Sequence, residues 1–449
     1  MISNRNSSPS DRRKPNLVFI LIDDLGWVDT GCYGSEFYKT PNIDRLAAQG
    51  MKFTNGYASS PVCSPTRASL MTGKYPARLH LTGHTGSFRP SPSLKLITPT
   101  FAKRLSHDEV VIANALKPAG YTSAIFGKWD LGEKPYFPED HGFDLSFGAM
   151  GGGMVNSHFY PWDPNWKVKG KEGEYLADRL TQEAESFIER NKMRPFFLYL
   201  SHYCVHVPHE AKKEIIAKYQ AKAKPDRAQH NAVYAAMVES IDDSVGRIMQ
   251  KLDKTGLADC TVIFFTSDNG GLHVPDAGYS AATSNAPLRE GKGYLYEGGI
   301  REPLIVRWPG AVKPGSVCKV PASSIDFYPT MLELAGVKPR PEQAIDGESL
   351  VPALKHEGHL RRDALYWHYP HYSPQGGKPS SAMRIGDYKL LRFYEDDHLE
   401  LYNLKDDIGE KHDLAEKMPE KAAIFRNKLD DWLKSVNAQM PTRNPDYRP

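Results

Sequence analysis

Residues 16–22 form a continuous apolar run, Asn-Leu-Val-Phe-Ile-Leu-Ile, which ends directly at the acidic pair Asp23 and Asp24. An unbroken run of this length, without polar alternation, is typical of a strand that is buried on both faces of a sheet. Such a strand must be covered by helices on both sides. The run therefore favours an α/β fold with a mainly parallel central sheet.

Helix and strand patterns alternate after this run, as a parallel sheet requires. Amphipathic patterns predict helices at residues 42–49, 110–119, 176–191 and 233–254. Apolar runs predict further strands at residues 122–126, 196–200 and 261–266. We expect this α/β unit to span residues 15–364, after a disordered tail at residues 1–14.

The pattern changes after about residue 364. Residues 383–393 and 400–403 predict short antiparallel strands joined by charged turns, and residues 419–436 predict one terminal helix. These features predict a small C-terminal α+β domain at residues 365–449.

The composition is that of an ordinary globular protein and says little about function. The 449 residues are 40% hydrophobic and 25% charged, and 57 basic against 54 acidic residues give a formal net charge of +3. This balance, without a run of Lys or Arg, argues against a nucleic-acid-binding protein. No stretch approaches the roughly 20 apolar residues of a membrane helix, and the N-terminus lacks the apolar core of a signal peptide.

Polar side chains follow four of the predicted strands at the point where each strand ends. These side chains are Asp23 and Asp24, Lys128 and Asp130, His206, and Asp268 and Asn269. Because ligand sites in open parallel sheets lie at the carboxyl ends of strands, the pattern predicts one common site.

The acidic residues among them are suited to a metal ion. Adjacent carboxylates at Asp23 and Asp24 repel each other and are costly unless a cation shares them. Asp268 and Asn269 supply two more oxygen ligands from a distant strand end. This hard-oxygen set suits Ca²⁺ or Mg²⁺ better than zinc. Each pair also has an ordinary alternative, a solvated turn for the first and an Asx turn for the second.

The five cysteines contain no C-x-x-C pair and are too few for a disulfide scaffold, and their odd number suggests that one has a role of its own. Cys63 lies in residues 61–73, Pro-Val-Cys-Ser-Pro-Thr-Arg-Ala-Ser-Leu-Met-Thr-Gly. Taken alone, a cysteine before a proline-initiated helix is equally well a buried structural residue. The whole stretch, however, resembles the C-x-P-x-R signature of the type I, formylglycine-dependent sulfatase family. Residues 120–129 and 291–303 match two further stretches of that family.

The resemblance covers nearly the whole chain and implies the alkaline phosphatase-like fold. In this family a maturation enzyme converts the signature cysteine to formylglycine, so the resemblance implies this change at Cys63 and a partner of that kind. The hydrated aldehyde attacks sulfur with one hydroxyl and uses the other to expel sulfate. The resemblance also implies a metal ion, usually calcium, bound by the residue made from Cys63 together with Asp23, Asp24, Asp268 and Asn269.

The resemblance assigns the remaining groups as well. Arg67 is expected to orient the formylglycine, and Lys128 and Lys292 to contact the sulfate oxygens, where fixed cations lower the barrier. His206 is expected to be the general acid that protonates the leaving alcohol.

Asp130 departs from the family pattern, in which the second stretch ends Gly-Lys-Trp-His. In the family that histidine contacts the formylglycine hydroxyl and acts as the base that expels sulfate. An aspartate also accepts a proton, but at about 4 Å and an effective dielectric near 20 it repels an anionic substrate by roughly 4 kcal/mol. Three explanations stay open: a substitution made to trap substrate, a natural variant that uses Asp130 as the base, and a slow or inactive homologue.

We expect hydrolysis of a sulfate ester, and a sulfated carbohydrate as the substrate. The aromatic segment at residues 156–166 offers rings for stacking on sugars, although a packed loop explains it equally well. His202 and His209 are expected to lie behind the site or to contact the substrate. The alternatives are a phosphomonoester or phosphonate hydrolase of the same superfamily, and an inactive glycan-binding homologue.

The resemblance also bears on the compartment. Members of the family usually act in the periplasm, in the lysosome or outside the cell, so we expect a leader that is absent from this chain. A cytoplasmic protein is the alternative.

Overall fold

The computed structural model describes residues 14–84, 91–163, 166, 168–224 and 228–448. The predicted tail at residues 1–14 lies outside these residues except for Lys14. Most strands of the described chain belong to a nine-stranded sheet and a four-stranded sheet.

The strands are numbered in chain order. They are β1 (Asn16–Ile22), β2 (Met51–Tyr57), β3 (Leu96–Ile97), β4 (Thr122–Gly127), β5 (Leu145–Phe147), β6 (Phe196–Ser201), β7 (Thr261–Ser267), β8 (Arg301–Arg307), β9 (Ser316–Cys318), β10 (Ala322–Ser323), β11 (Ala364–Tyr369), β12 (Ser380–Ile385), β13 (Tyr388–Phe393), β14 (Leu399–Asn403) and β15 (Thr442–Arg443).

The helices are α1 (Pro41–Gln49), α2 (Cys63–Thr72), α3 (Pro76–Leu79), α4 (Ile112–Leu116), α5 (Leu176–Asn191), α6 (Lys213–Gln220), α7 (Ala232–Lys254), α8 (Glu297–Ile300), α9 (Phe327–Ala335), α10 (Val351–Leu354) and α11 (Pro419–Ser435). Within the described residues, none of them combines the length and the hydrophobicity needed to cross a bilayer.

β1 lies at the centre of the larger sheet, and all seven of its residues are buried. It pairs in parallel with β7 on one side and β6 on the other, so that Leu17 lies opposite both Val262 and Phe197. The strand order is β10-β2-β8-β7-β1-β6-β4-β5, with β9 beside β2. The predicted α/β fold with a mainly parallel sheet is confirmed.

β2 and β8 are absent from the sequence prediction. β8 runs antiparallel to both β7 and β2, so this half of the sheet is mixed. β2 alternates buried residues such as Phe53 with partly exposed ones such as Lys52 and Thr54. It therefore lacks the continuous apolar run by which the fully buried parallel strands are recognised.

Helices cover both faces of the larger sheet. α1, α5, α6 and α7 pack on one face, together with Val18 and Ile20 of β1. α2, α4, α9 and α10 pack on the other face, together with Leu17 and Phe19. Successive residues of β1 are thus buried in two different cores, which explains why its sequence shows no polar alternation.

β11 to β14 form the smaller, antiparallel sheet. One of its faces packs on α11 through residues such as Met383 and Leu429. Its other face packs against the larger sheet, where Trp367 meets Tyr57 and Ile300. The first strand, β11, is missing from the sequence prediction.

A buried ion cluster joins the two sheets. The Nζ atom of Lys389 in β13 lies 3.0 Å from Oε1 of Glu297 and 2.9 Å from Oε1 of Glu410, and none of these side chains is exposed. Glu297 also pairs with Arg301 at 2.6 Å. Removing one member leaves a buried charge without its partner, so the cluster fixes how the smaller sheet sits on α8.

Two buried histidines predict a loss of stability in mild acid. Burial lowers the pKa of His202 to about 3 and that of His368 to about 4, from 6.5. Between these values and 6.5 the unfolded chain binds more protons than the folded chain, so the free energy of unfolding falls as the pH falls. We expect these two histidines to lower the melting temperature, followed by circular dichroism, from about pH 7 to about pH 4, whereas the raised pKa values of buried carboxyls such as Asp29 and Asp242, both about 6, act in the opposite direction.

The variant His368→Gln tests whether His368 contributes to this dependence of stability on pH. Nε2 of His368 donates to the carbonyl oxygen of Gln439 at 2.9 Å, and Nδ1 accepts from the Ser381 hydroxyl at 2.7 Å. A glutamine cannot take up the proton, so the slope of unfolding free energy against pH should decrease by about one proton. His412→Gln, at a surface position, is the control. If the slope of unfolding free energy against pH is unchanged in His368→Gln, His368 does not contribute to it.

Candidate active site

The order of the central strands brings the predicted site residues to one edge of the sheet. β7, β1, β6 and β4 are consecutive neighbours and run parallel, so their carboxyl ends meet. The residues that follow these ends are Asp268 and Asn269, Asp23 and Asp24, His202 and His206, and Lys128 and Asp130. Cys63 joins them from the first turn of α2.

Three carboxylates form the centre of the site. Ligand atoms of Asp23, Cys63 and Asp268 lie within 4.8 Å of one another, and so do those of Asp23, Asp24 and His206. The backbone N–H of Asp24 donates to Oδ1 of Asp268 at 3.2 Å. Asp24 has a φ of 61°, a left-handed conformation that Asp tolerates better than most residues.

Two buried oxygens of this centre lack a hydrogen-bond donor. The amide nitrogen of Asn269 donates to Oδ1 of Asp24 at 2.7 Å, which leaves Oδ1 of Asn269 without a donor. Oδ1 of Asp23 also has none. Buried acceptors of this kind are rare in folded proteins. A divalent cation that prefers oxygen ligands would satisfy both atoms, so the donor set fits Ca²⁺ or Mg²⁺.

Two buried lysines pair with the carboxylates. Nζ of Lys128 lies 2.8 Å from Oδ2 of Asp23, and Nζ of Lys292 lies 2.7 Å from Oδ2 of Asp24. Burial acts to lower the pKa of Lys128, but Asp23, Cys63 and Asp130 together outweigh it and raise this pKa well above its usual value. Burial likewise acts against ionisation of Asp24, but Lys292 and His206 hold its pKa far below the usual range. Both lysines are therefore fixed cations at neutral pH.

Arg67 is held on the far side of Asp268. Its Nε and Nη2 atoms lie 2.8 and 2.7 Å from Oδ2 of Asp268, and Nη1 donates to the carbonyl oxygen of Lys128 and to the Ser201 hydroxyl. The helix that carries it begins at Cys63, two residues before Pro65, so Arg67 lies one turn after the cysteine. These contacts make Arg67 a support for Asp268 and Lys128.

The Cys63 thiol is buried at the N-terminal end of α2. Burial, with Lys128 opposing it, raises the pKa of this thiol to about 12. The thiolate is the reactive form of cysteine, so the unmodified side chain is a poor nucleophile at neutral pH.

His206 lies beside Asp24. Its Nε2 atom is 3.7 Å from Oδ2 of Asp24, and its Nδ1 donates to the carbonyl oxygen of Val207 at 2.8 Å. Burial, together with Lys292, lowers the pKa of His206 well below its usual value, while Asp24 opposes this. In this state the ring is neutral, and Nε2 is an acceptor.

The two neighbouring histidines lie in different surroundings. His202 is buried behind the sheet edge and contacts the Ser244 hydroxyl at 3.0 Å. The ring of His209 lies 5.7 Å from the partly exposed ring of Tyr279.

Asp130 lies next to the first turn of α2, which carries Cys63, and is buried. Its Oδ2 accepts from the hydroxyl of Ser64, the residue after Cys63, at 2.7 Å and lies 3.9 Å from Nζ of Lys128. Gly153 packs on it so closely that a Cβ there would come within 3.1 Å of Oδ1. The donor and the cation offset part of the repulsion that the sequence predicts between Asp130 and an anion.

Two residues without a motif support the loop that follows β1 and carries Asp24. Oδ2 of Asp29 accepts from the Tyr234 hydroxyl at 2.6 Å and from the backbone N–H of Gly26 at 2.9 Å. The same hydroxyl lies 3.3 Å from the carbonyl oxygen of Asp24. Nothing in the sequence marks Asp29 or Tyr234, because they are 205 residues apart and only the fold joins them.

In the aromatic segment at residues 156–166, the ring of Trp162 is buried and is not accessible to a ligand. Trp162 is 1% exposed and belongs to the core, and its Nε1 donates to the carbonyl oxygen of Glu174 at 3.0 Å. Residues 164 and 165 lie outside the described chain. For Trp162 the packed-loop interpretation is the correct one.

Comparison with known proteins gives a consistent result. The family described as Sulfatase matches residues 15–337, and that described as N-sulphoglucosamine sulphohydrolase, C-terminal, matches residues 291–439. A sulfatase of Formosa agariphila is 34% identical over 98% of this chain and 92% of its own. An N-acetylgalactosamine-6-sulfatase of Homo sapiens is 37% identical over 79% of this chain and 68% of its own. The structure of Ps i-CgsB in complex with k-i-k-neocarrahexaose has a TM-score of 0.79 and 31% identity, covering 94% of this chain and 93% of that one.

The donor set predicts that divalent cations stabilise the fold. A cation that binds only the folded chain adds about 2.7 kcal/mol to the free energy of unfolding at a concentration 100 times its Kd. We expect Ca²⁺ to raise the melting temperature of the chelator-treated protein. Asp24→Asn should abolish this rise, whereas Glu109→Gln, which removes a partly exposed partner of Lys74, should preserve it. An equal rise in both variants would place the cation elsewhere.

Proposed function

This chain belongs to the sulfatase family and hydrolyses sulfate esters, and we propose that its substrate is a sulfated carbohydrate. Relatives at 36–37% identity are named for N-acetylgalactosamine 6-sulfate, and a structural neighbour at 31% identity is bound to a carrageenan hexasaccharide. The observation that carries the proposal is the enclosure of Cys63 by hard-oxygen ligands and fixed cations in one buried cluster.

The charge balance of this cluster favours a sulfate ester. The side chains in it that carry a formal charge are the carboxylates Asp23, Asp24, Asp130 and Asp268 and the cations Arg67, Lys128 and Lys292. Their formal charges sum to a single negative charge, which a bound dication would convert to a single positive charge. A sulfate monoester is a monoanion and matches this charge, whereas a phosphate monoester is a dianion at neutral pH and does not. The balance disfavours the alternative of a phosphomonoester hydrolase.

The nucleophile is proposed to be the formylglycine made from Cys63 by a maturation enzyme. This group supplies a hydrated aldehyde, one hydroxyl of which attacks sulfur while the other allows sulfate to leave. Burial raises the pKa of the unmodified thiol to about 12, so an unmodified Cys63 would be a weak nucleophile at neutral pH.

The metal site is proposed to consist of Asp23, Asp24, Asp268 and Asn269, with the residue at position 63 as a further ligand. The oxygens of these residues would hold Ca²⁺, or Mg²⁺ in its place. The cation would supply Lewis-acid polarisation of a sulfate oxygen. Arg67 keeps Asp268 in place through two short contacts, which restricts that ligand to one orientation.

Lys128 and Lys292 are proposed to contact the sulfate oxygens. Both are buried, and each is held by a carboxylate at 2.7 or 2.8 Å, so neither has to reorganise when negative charge develops on the substrate. His206 is proposed to protonate the leaving alcohol from Nε2. Since its ring is neutral in the resting site, it must take up this proton once the anionic substrate is bound.

Asp130 is proposed to be the base in the second half of the cycle. Its carboxylate is tied to Ser64, directly beside the nucleophile, and it has the capacity to accept a proton there. We propose that this cycle runs in the periplasm, the lysosome or the extracellular space.

Maturation and activity are tested together. Peptide mass spectrometry across position 63 should show formylglycine in protein co-expressed with a maturation enzyme, and this protein should release sulfate from N-acetylgalactosamine 6-sulfate or a carrageenan oligosaccharide. Cys63→Ala should release none. Matched phosphate esters should react more slowly. Faster release of phosphate than of sulfate would favour the alternative function, and binding without turnover would favour the glycan-binding one.

Two substitutions at Asp130 distinguish its role as a base from the effect of its negative charge. Asp130→Asn removes the base and should lower kcat by about 100-fold or more. Asp130→His restores a base without the negative charge and should raise kcat/KM for the sulfate ester. If Asp130→Asn retains full kcat, Asp130 is not the base. If turnover does not rise in Asp130→His, the negative charge is not what limits the enzyme.

A further inference from the structure

Tyr279 is an exposed aromatic ring next to the active site. Eight large apolar side chains of the described structure are exposed, and Tyr279, at 37%, is the aromatic one among them. It ends a tight turn in which Asp276 and Tyr279 exchange two backbone hydrogen bonds, of 3.1 and 2.8 Å. The turn fixes the position of the ring without burying it.

A chain of ring contacts leads from Tyr279 to the loop that follows β1 and carries Asp24. The ring of His209 lies 5.7 Å from that of Tyr279 and 6.2 Å from that of Tyr234. The Tyr234 hydroxyl in turn lies 3.3 Å from the carbonyl oxygen of Asp24. His209 also follows His206 by three residues. The Tyr279 ring is therefore connected, through two further rings, to the loop that carries Asp24, and if His206 is the general acid the Tyr279 ring lies on the side of the leaving alcohol.

The other side of the turn is anchored beside Lys292. Oδ2 of Asp276 accepts from the side-chain amide of Gln375 at 2.6 Å, and the carbonyl oxygen of Gln375 accepts from the Tyr294 hydroxyl at 2.8 Å. Tyr294 is two residues after Lys292. The turn is thus held between the segments that carry His206 and Lys292, at the rim of the site.

His209 packs beside the Tyr279 ring. Its Nε2 is buried and has no hydrogen-bond partner within the described structure, so this atom does not face the solvent. The exposed face of Tyr279 is therefore the surface that this rim offers to a ligand. An exposed aromatic face binds a partly apolar, hydroxyl-rich ring by stacking.

We infer that Tyr279 and His209 form a sugar-binding subsite, in which a pyranose ring of the leaving alcohol stacks on the exposed face of Tyr279 and the His209 ring packs beside that tyrosine. This inference rests on the proposed carbohydrate sulfatase activity. It assigns recognition of the sugar to residues that neither bind the metal nor contact the sulfate. It also moves this function away from the segment at residues 156–166.

The test measures binding, so that it does not depend on turnover. In Cys63→Ala protein with Ca²⁺, isothermal titration calorimetry is carried out with N-acetylgalactosamine 6-sulfate, glucosamine 6-sulfate, a carrageenan hexasaccharide and inorganic sulfate. Tyr279→Ala should weaken binding of the best sugar sulfate by about tenfold. Tyr279→Phe keeps the ring and should bind like the parent. Neither substitution should change the affinity for inorganic sulfate.

Three results would overturn the inference. One is an unchanged affinity for the sugar sulfate in Tyr279→Ala that has the parent's melting temperature. Another is an equal loss for inorganic sulfate, which would indicate general damage to the site. The third is a parent protein that binds no sugar sulfate more tightly than inorganic sulfate, because the sugar then contributes nothing.

The proposed function is judged by a different readout. If the matured protein releases no sulfate, but the sugar sulfates bind in a Tyr279-dependent way, the proposed activity fails and the subsite stands. If sulfate is released with the same KM by the parent and by Tyr279→Ala, the activity stands and the subsite fails.

Discussion

Three buried carboxylates pair with three buried cations at the carboxyl edge of the central sheet, and each of these charges depends on the others. Removing an ion from water costs several kcal/mol even after the protein relaxes, so none of the six would be stable alone at such a position. The pairs are made between separate segments: Lys128 after β4 meets Asp23 after β1, and Arg67 of α2 meets Asp268 after β7. The fold therefore brings these charges together, and the pairing of the charges in turn holds the ends of these segments in place.

The same arrangement explains how the site combines rigidity with an excess of positive charge when a metal is bound. Each cation is held before substrate arrives, and each carboxylate is held by a cation or a backbone N–H. Such pre-organisation lets fixed charges stabilise a transition state without reorganisation. Asp130 is consistent with this design, since Ser64 and Lys128 offset a charge that would otherwise repel the anion.

The smaller sheet belongs to the same scheme. The cluster of Lys389, Glu297 and Glu410 holds it against α8, which follows Lys292 by a few residues. Gln375 then extends from this sheet's first connection to Asp276, at the base of the turn that presents Tyr279. The smaller sheet thus supports both the segment that carries Lys292 and the turn that presents Tyr279.

The sequence by itself determined the parallel part of the sheet and most of the candidate site. Strands buried on both faces, such as β1, are visible in the sequence as continuous apolar runs. The acidic and basic residues that follow their ends lie in recognisable motifs. The sequence did not reveal β2, β8 or β11, or the placement of Trp162 in the core. β2 alternates buried and partly exposed residues, and β8 begins with Arg301, Glu302 and Pro303, so neither strand leaves a continuous apolar run. Only the tertiary structure joined Asp29 to Tyr234 and placed Tyr279 beside His209. Such contacts link positions tens to hundreds of residues apart, and spacing along the chain carries no information about them.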